Sequence, residues 1–235
     1  MIKIYGKNCI REAIRAEANL KEVYIGLETS KKDKAFLELL ADKGIPYQIV
    51  PKQKMDTLFG NNHQGYGAYR IDYEIYDESI LDCIQQKGPK RILLLDGIMD
   101  PHNLGAILRS VDAFGYDAVV LPKNRSCLIN ETVAHVSTGA IEYVKIAYVN
   151  SLTNFVNLLK SRGYWICGTD ASGNVDASQI DASLDLAVII GSEGFGMSRT
   201  LVKQADYLIS IPMVGHVNSL NASVSTGIVL SVLKK

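Results

Sequence analysis

The chain lacks the signatures of several common protein classes. Its four cysteines, Cys9, Cys83, Cys127 and Cys167, are far apart and form no C-x-x-C pair. With no secretory signal they read as reduced thiols of a cytosolic protein rather than as a disulfide framework. Its four histidines, His63, His102, His135 and His216, show no H-x-x-x-H or H-E spacing, so no metal site is expected. No apolar run nears the span of a membrane helix, so no membrane partner is expected. There is no excess charge of either sign: 25 Lys and Arg balance 25 Asp and Glu. That balance counts against a broadly basic nucleic-acid surface, although a local basic patch can be offset elsewhere. G-x-G-x-x-G and G-x-x-x-x-G-K-[ST] are both absent, which removes the dinucleotide fingerprint and the NTPase phosphate loop. No internal repeat or low-complexity segment is present.

What remains is an ordinary globular composition, 47% hydrophobic and 21% charged over 235 residues, enough for one large or two smaller cores. Two grammars divide it. In the first part, short helices and strands alternate. Asn8 can cap a helix that carries Ile10, Ala13 and Ile14 on one face. Residues 21–26 alternate like a strand, and residues 32–43 form an amphipathic helix ending at Gly44. Residues 45–50 and 67–76 read as further strands, with a turn-rich loop at 60–65 between them. Residues 77–90 look like a linker, with a short helix over 80–86 and a break at Gly88-Pro89. This gives an N-terminal domain over 1–76, a linker over 77–90 and a second domain over 91–235.

From Arg91 the order is strand, loop, helix, repeated. Continuous apolar runs at 92–95, 119–121, 165–168, 187–190 and 208–211 predict strands covered on both faces. Helices are expected near 104–114, 131–138, 152–162 and 199–205, and from about Ser219 to the end. The fold class is therefore α/β with a mostly parallel sheet. Ligands in such sheets bind beyond the carboxyl ends of strands.

Three polar motifs sit at those ends. Asp100-Pro101-His102-Asn103 enters a helix, with Asn103 as N-cap. On that helix Leu104, Ile107, Leu108, Val111 and Phe114 share the buried stripe, while Arg109 falls roughly opposite. An exposed arginine is ordinarily just solvated. Gly191-Ser192-Glu193-Gly194-Phe195-Gly196 allows tight turns and close approach to a ligand, and Glu193 could simply accept backbone N–H bonds there. Ile211-Pro212-Met213 is followed by Asn218-Ser219-Leu220-Asn221-Ala222-Ser223, a helix start with Ser219 as a plausible cap. Its Ser and Asn content also suits hydrogen bonding to a polar ligand.

Together and in this order, the three motifs resemble those of the SpoU (TrmH) branch of the SPOUT RNA methyltransferases. The resemblance runs over the whole chain and looks closest to the members that methylate a guanosine 2′-hydroxyl of 23S ribosomal RNA. It implies S-adenosylmethionine as cofactor, RNA (23S rRNA) as substrate and a homodimer. It also implies an N-terminal domain similar to a large-subunit ribosomal protein and a C-terminal trefoil knot.

By motif position, Arg109 is the catalytic residue and Asn103 helps place it. Glu193, Ser219 and Asn221 surround the active site. Gly191, Ile211 and Leu220 would contact the cofactor, with Thr138, Gly139 and Thr169. The segment Ser137-Thr138-Gly139-Ala140 also reads as a plain helix end. Tyr5, Lys7 and Arg11 could contact RNA or be solvated surface. The sequence departs from the pattern at Thr138 and His216, where smaller residues are common. The competing readings are a tRNA or resistance-type rRNA methyltransferase, and a non-catalytic ribosome-assembly module.

Overall fold

A computed structural model describes residues 1–84, 87–216 and 219–234. It divides into two compact units, one of residues 1–73 and 129–143, the other of residues 74–128 and 144–235.

The first unit is built on a four-stranded sheet in the order β1-β4-β2-β3. Its elements are β1 (Ile2–Tyr5), α1 (Lys7–Arg15), β2 (Leu20–Gly26), α2 (Leu27–Lys32), α3 (Lys34–Asp42), β3 (Tyr47–Val50), α4 (Lys52–Phe59) and β4 (Tyr66–Arg70). β4 runs antiparallel to β1 and β2, and β2 runs parallel to β3. α1 buries Cys9, Ile10, Ala13 and Ile14, the face expected from their spacing. Its cap is not Asn8 but Gly6, whose φ of 91° turns the chain into the helix two residues earlier.

The helix expected over 32–43 is two helices broken at Asp33. The Asp33 carboxylate takes an ion pair from Lys7 Nζ at 2.6 Å and a hydrogen bond from the Tyr66 hydroxyl. These two contacts, Lys7 first, hold Asp33 below the usual carboxylate range. A depressed carboxylate contributes stability above its unfolded pKa of about 3.9, and loses it as pH falls through the lower folded value. Acid titration of the far-UV circular dichroism is expected to show this loss, and Asp33→Asn to flatten it.

α4 packs Met55, Leu58 and Phe59, an i, i+3, i+4 set confined to the end of a short and otherwise polar segment, too brief a run to stand out by its period. The segment 129–143 belongs to this unit, not to a contiguous block from 91 onward. It carries α7 (Glu131–Val136), capped by Asn130, whose side chain accepts from Val133 N. The His135 ring stacks on Tyr5 at 4.2 Å between centroids. The Glu142 carboxylate holds the Arg70 guanidinium through contacts of 2.8 to 3.0 Å, with only 2% and 12% of the two side chains exposed. This nearly dry bidentate pair fastens the segment to β4.

The second unit is a seven-stranded, all-parallel sheet in the order β11-β9-β10-β6-β7-β8-β5. Its elements are β5 (Ile75–Tyr76), α5 (Ile80–Cys83), β6 (Arg91–Asp96), α6 (Pro101–Ala113), β7 (Ala118–Pro122), β8 (Lys145–Val149), α8 (Leu152–Ser161), β9 (Trp165–Thr169), β10 (Leu186–Gly191), α9 (Arg199–Gln204), β11 (Tyr207–Ile209) and α10 (Ala222–Val232). The expected strand over 67–76 is two strands in different sheets, β4 and β5. The expected linker is partly core, because Ile80, Leu81 and Ile84 are buried with the sheet residues. Its helix ends at Cys83, and Gln85 and Gln86 lie outside the described residues.

Four of the five predicted apolar runs are strand interiors, whereas the run at 208–211 is strand only as far as Ile209. Ile92, Leu94, Val120, Ala187 and Ile189 line one face of the sheet and pack with Phe155, Val156 and Leu159 of α8. The chain builds outward from β6 through β7 and β8. It then returns to place β10 on the other side of β6. The strand order therefore reverses between β6 and β10, and their last residues, Asp96 and Gly191, are register partners. A crevice at this switch point is where such sheets bind ligands.

Candidate active site

The motif residues lie on the segments that follow β6, β10 and β11. After β10 the chain makes a tight turn in which Ser192 N donates to Gly196 O (3.1 Å) and Gly196 N donates to Ser192 O (2.9 Å). A Cβ on Gly191 would lie 2.1 Å from the Gly196 carbonyl carbon, so only glycine lets the strand end meet the closing turn. After β6, Asp96 accepts from Ser198 N at 2.7 Å and anchors the far side of that turn.

Two capping expectations are corrected. α6 is capped by Asp100, whose side chain accepts from His102 N, with Pro101 opening the helix. Proline is pre-organised for a first helical position, which moves the cap upstream of Asn103. α10 is capped by Asn221 rather than Ser219, with Asn221 Oδ1 accepting from Ser223 N at 2.9 Å and Val224 N at 3.3 Å. Asn218 lies outside the described residues.

Freed from capping, Asn103 donates through Nδ2 to Glu193 Oε1 at 2.9 Å. Asn221 Nδ2 donates to the same oxygen at 2.7 Å and to Asn103 Oδ1 at 2.8 Å. Ala222 N, at the start of α10, is the third donor to Glu193 Oε1, at 3.0 Å. One residue from each motif thus meets in a single polar hub. The carboxylate also sits where the α10 dipole favours negative charge.

Glu193→Gln keeps an acceptor for all three donors and is expected to change stability by less than about 1 kcal/mol. Glu193→Ala removes the shared acceptor at an exposed site where water can replace it, and is expected to cost about 0.5–1.5 kcal/mol. Parallel urea denaturation of the two variants checks the difference.

Arg109 is exposed on α6, and no described residue gives it a hydrogen bond or ion pair. The structure does not join it to the hub, and its guanidinium is left with its full donor set. Ser219 is exposed and lines the neighbouring cavity.

That cavity, about 490 Å³, lies beyond the carboxyl ends of β9, β10 and β11. Its walls include Thr169, Gly191, Ile211 and Leu220, four of the six residues expected at a cofactor. The other two, Thr138 and Gly139, belong to the first unit and do not line it. There Gly139, at φ 101°, admits α1: a Cβ would lie 2.5 Å from Glu12 Cβ.

The volume falls in the range of small-molecule sites, and the walls mix apolar side chains with a few polar groups. Asp170, at the end of β9, also lines it and was not singled out from the sequence. Hydrogen bonds from the Ser172 hydroxyl and backbone hold the Asp170 carboxyl below its ordinary range. An ionised acid at a strand end suits the hydroxyls of a ribose. Its signal was only an Asp closing an apolar run.

The expected RNA-contacting residues of the first unit are engaged internally. Tyr5 is stacked, Lys7 is paired with Asp33, and Arg11 donates to Asn8 and Glu12. Among the described residues no helix is long and apolar enough to cross a membrane.

Known proteins place this architecture. The SpoU rRNA Methylase family matches residues 90–231, and an RNA 2′-O ribose methyltransferase substrate binding family matches residues 3–76. A Staphylococcus saprophyticus protein named for the TrmH family of tRNA/rRNA methyltransferases is 44% identical, over 97% of this chain and 93% of its own. The crystal structure of an AdoMet-bound rRNA methyltransferase from Sinorhizobium meliloti aligns with a TM-score of 0.80 at 22% identity, over 99% of this chain and 86% of that one. The SpoU methyltransferase AviRb from Streptomyces viridochromogenes, in complex with AdoMet, also aligns at 0.80, with 23% identity over 98% and 88% of the two chains. The two structural likenesses establish the fold. On the match to its second unit and the identity across its length, the chain belongs to the SpoU rRNA methylase family.

Proposed function

We propose that the protein transfers a methyl group from S-adenosylmethionine to a ribose 2′-hydroxyl of RNA, at a guanosine of 23S rRNA. The observation that carries the reading is the hub of Asn103, Glu193 and Asn221, set beside the cavity beyond the carboxyl ends of β9, β10 and β11. The cavity fits the cofactor in size and in the chemistry of its walls. Thr138 and Gly139 stay part of the proposal through family resemblance alone, as do the knotted passage of the C-terminal segment and the N-terminal domain as an RNA-holding module.

When bound, S-adenosylmethionine supplies an electrophilic methyl on a sulfonium. The 2′-oxygen forms a bond to that carbon as the carbon–sulfur bond breaks, and the hydroxyl proton must leave. Arg109 is not the base, because a guanidinium stays protonated in proteins. Arg109 instead orients the hydroxyl and binds the neighbouring phosphate, and that phosphate or a water takes the proton. The hub fixes the crevice wall against which the ribose is held, so that positioning supplies much of the rate.

The homodimer implied by the resemblance is part of the reading. α10 exposes Val224, Ile228 and Val232 at four-residue spacing, opposite the side that buries Ala222, Thr226, Val229 and Leu230. Sedimentation equilibrium is expected to show a dimer, and Ile228→Glu to give monomers.

The substrate is tested by incubating the protein and labelled S-adenosylmethionine with protein-free 23S rRNA and, separately, with bulk tRNA. Label on a 23S guanosine supports the reading. Label on tRNA alone keeps the chemistry and overturns the substrate. No label on either, with cofactor binding intact, favours a ribosomal-particle substrate or a binding-only module.

A further inference from the structure

The Ser192–Gly196 turn also borders a second, larger cavity of about 850 Å³, at the carboxyl ends of β6 and β7. Met99, Arg125, Phe195 and Arg199 line it. None of the roles proposed above uses these side chains. Phe195 is 96% exposed, held out by a turn with Gly194 and Gly196 on either side, and Met99 is 62% exposed. Arg125 and Arg199 are exposed, and no described residue gives either one a hydrogen bond or ion pair. The carboxylate in the wall, Asp96, already accepts from Ser198 N. The cavity therefore combines an uncovered aromatic face with two uncompensated guanidinium groups.

A single exposed apolar side chain needs no explanation. A bare ring rimming a cavity beside two free arginines is different, because it matches the two faces of a nucleotide. Bases stack on aromatic rings, and phosphates take guanidinium forks. An anionic peptide would use the arginines and leave the ring uncovered. Phe195 stands two residues from Glu193 in the same turn, so at most roughly 7 Å of backbone separates this ring from the hub.

We infer that this second cavity is a subsite for one unpaired nucleotide of the RNA, with Phe195 stacked on the base and Arg125 and Arg199 on the flanking phosphates. The inference deepens the reading of the protein as an RNA methyltransferase and rests on it for the identity of the polymer. It also resolves the neutral net charge: the cationic surface that RNA needs is local, in arginines without acidic partners.

The probe is a short single-stranded RNA carrying one 2-aminopurine, whose fluorescence is quenched by stacking, titrated with the full-length protein. Phe195→Ala is expected to weaken binding by roughly 5- to 100-fold and to relieve the quenching. Phe195→Trp is expected to restore both. Arg125→Gln with Arg199→Gln is expected to flatten the slope of log affinity against log salt by about 1.4, as two lost phosphate contacts on a single strand require.

Unchanged affinity and quenching in Phe195→Ala would overturn the subsite. So would displacement of the probe by a phosphoserine peptide at matching concentration, which would assign the cavity to a protein partner. Wild-type quenching without methyl transfer to any RNA would leave the subsite supported and overturn the methyltransferase reading instead.

Discussion

Arg109→Ala is expected to lower methyl transfer to RNA by roughly 10²- to 10⁴-fold, the usual cost of removing a group that positions or stabilises reacting atoms. Affinity for S-adenosylmethionine should not change, because Arg109 does not line the cofactor cavity. The loss should fall mainly on the rate in single-turnover assays at saturating RNA, since the side chain is exposed and supports no other described contact. Arg109→Lys keeps the charge but loses the planar fork that can hold a hydroxyl and a phosphate together. It should recover little of the rate while binding RNA nearly as well as wild type. Near-normal turnover in the lysine variant would contradict any role specific to the guanidinium.

The second large effect is on stability. Arg91 opens β6 and is fully buried. Its guanidinium donates to the carbonyls of Leu233 (3.1 Å), Lys90 (3.1 Å), Ala182 (2.7 Å) and Leu184. It thereby ties the end of α10 and the approach to β10 to the first central strand. A buried charge is tolerated here because four carbonyl dipoles surround it. Arg91→Met fills much of the volume but leaves those carbonyls without donors, at a cost of about 3–5 kcal/mol. The single tryptophan, Trp165 on β9, lies in the same unit and reports its unfolding by fluorescence. A urea midpoint within experimental scatter of wild type would show that water can replace the arginine.

Much of the second unit was legible in the sequence. Buried parallel strands need apolar residues on both faces, and runs such as Ile92 to Leu95 and Ala187 to Ile190 have few other uses. β8 was missed although its run from Ile146 to Val149 is as apolar and as buried as those of its neighbours. Elsewhere short elements misled: α4 confines its apolar positions to five residues, and β4 and β5 follow each other in sequence yet serve different sheets.

The candidate site's hub residues stood out in the sequence as polar motifs, but their geometry did not. Ser219 and Asn221 are both good caps by type, and only the hub explains why Asn221 takes that place while also donating to Glu193. Asn103 looked like a cap for the same reason, yet its amide is worth more across the crevice. The packing of residues 129–143 with the first unit depends on Arg70 and Glu142, which lie 72 residues apart, and no local pattern announces such a pair. Phe195 and Arg125 gave no signal because exposed residues follow no period.

The measurement that tests the central claim most directly is the position of the transferred methyl on the nucleotide. After transfer from labelled S-adenosylmethionine, the RNA is digested with alkali, which needs a free 2′-hydroxyl to cleave each phosphodiester. The account predicts that the label survives in alkali-stable dinucleotides whose 5′ member is a methylated guanosine, and that Arg109→Ala removes it. Label released in mononucleotides would place the methyl on a base and contradict the account.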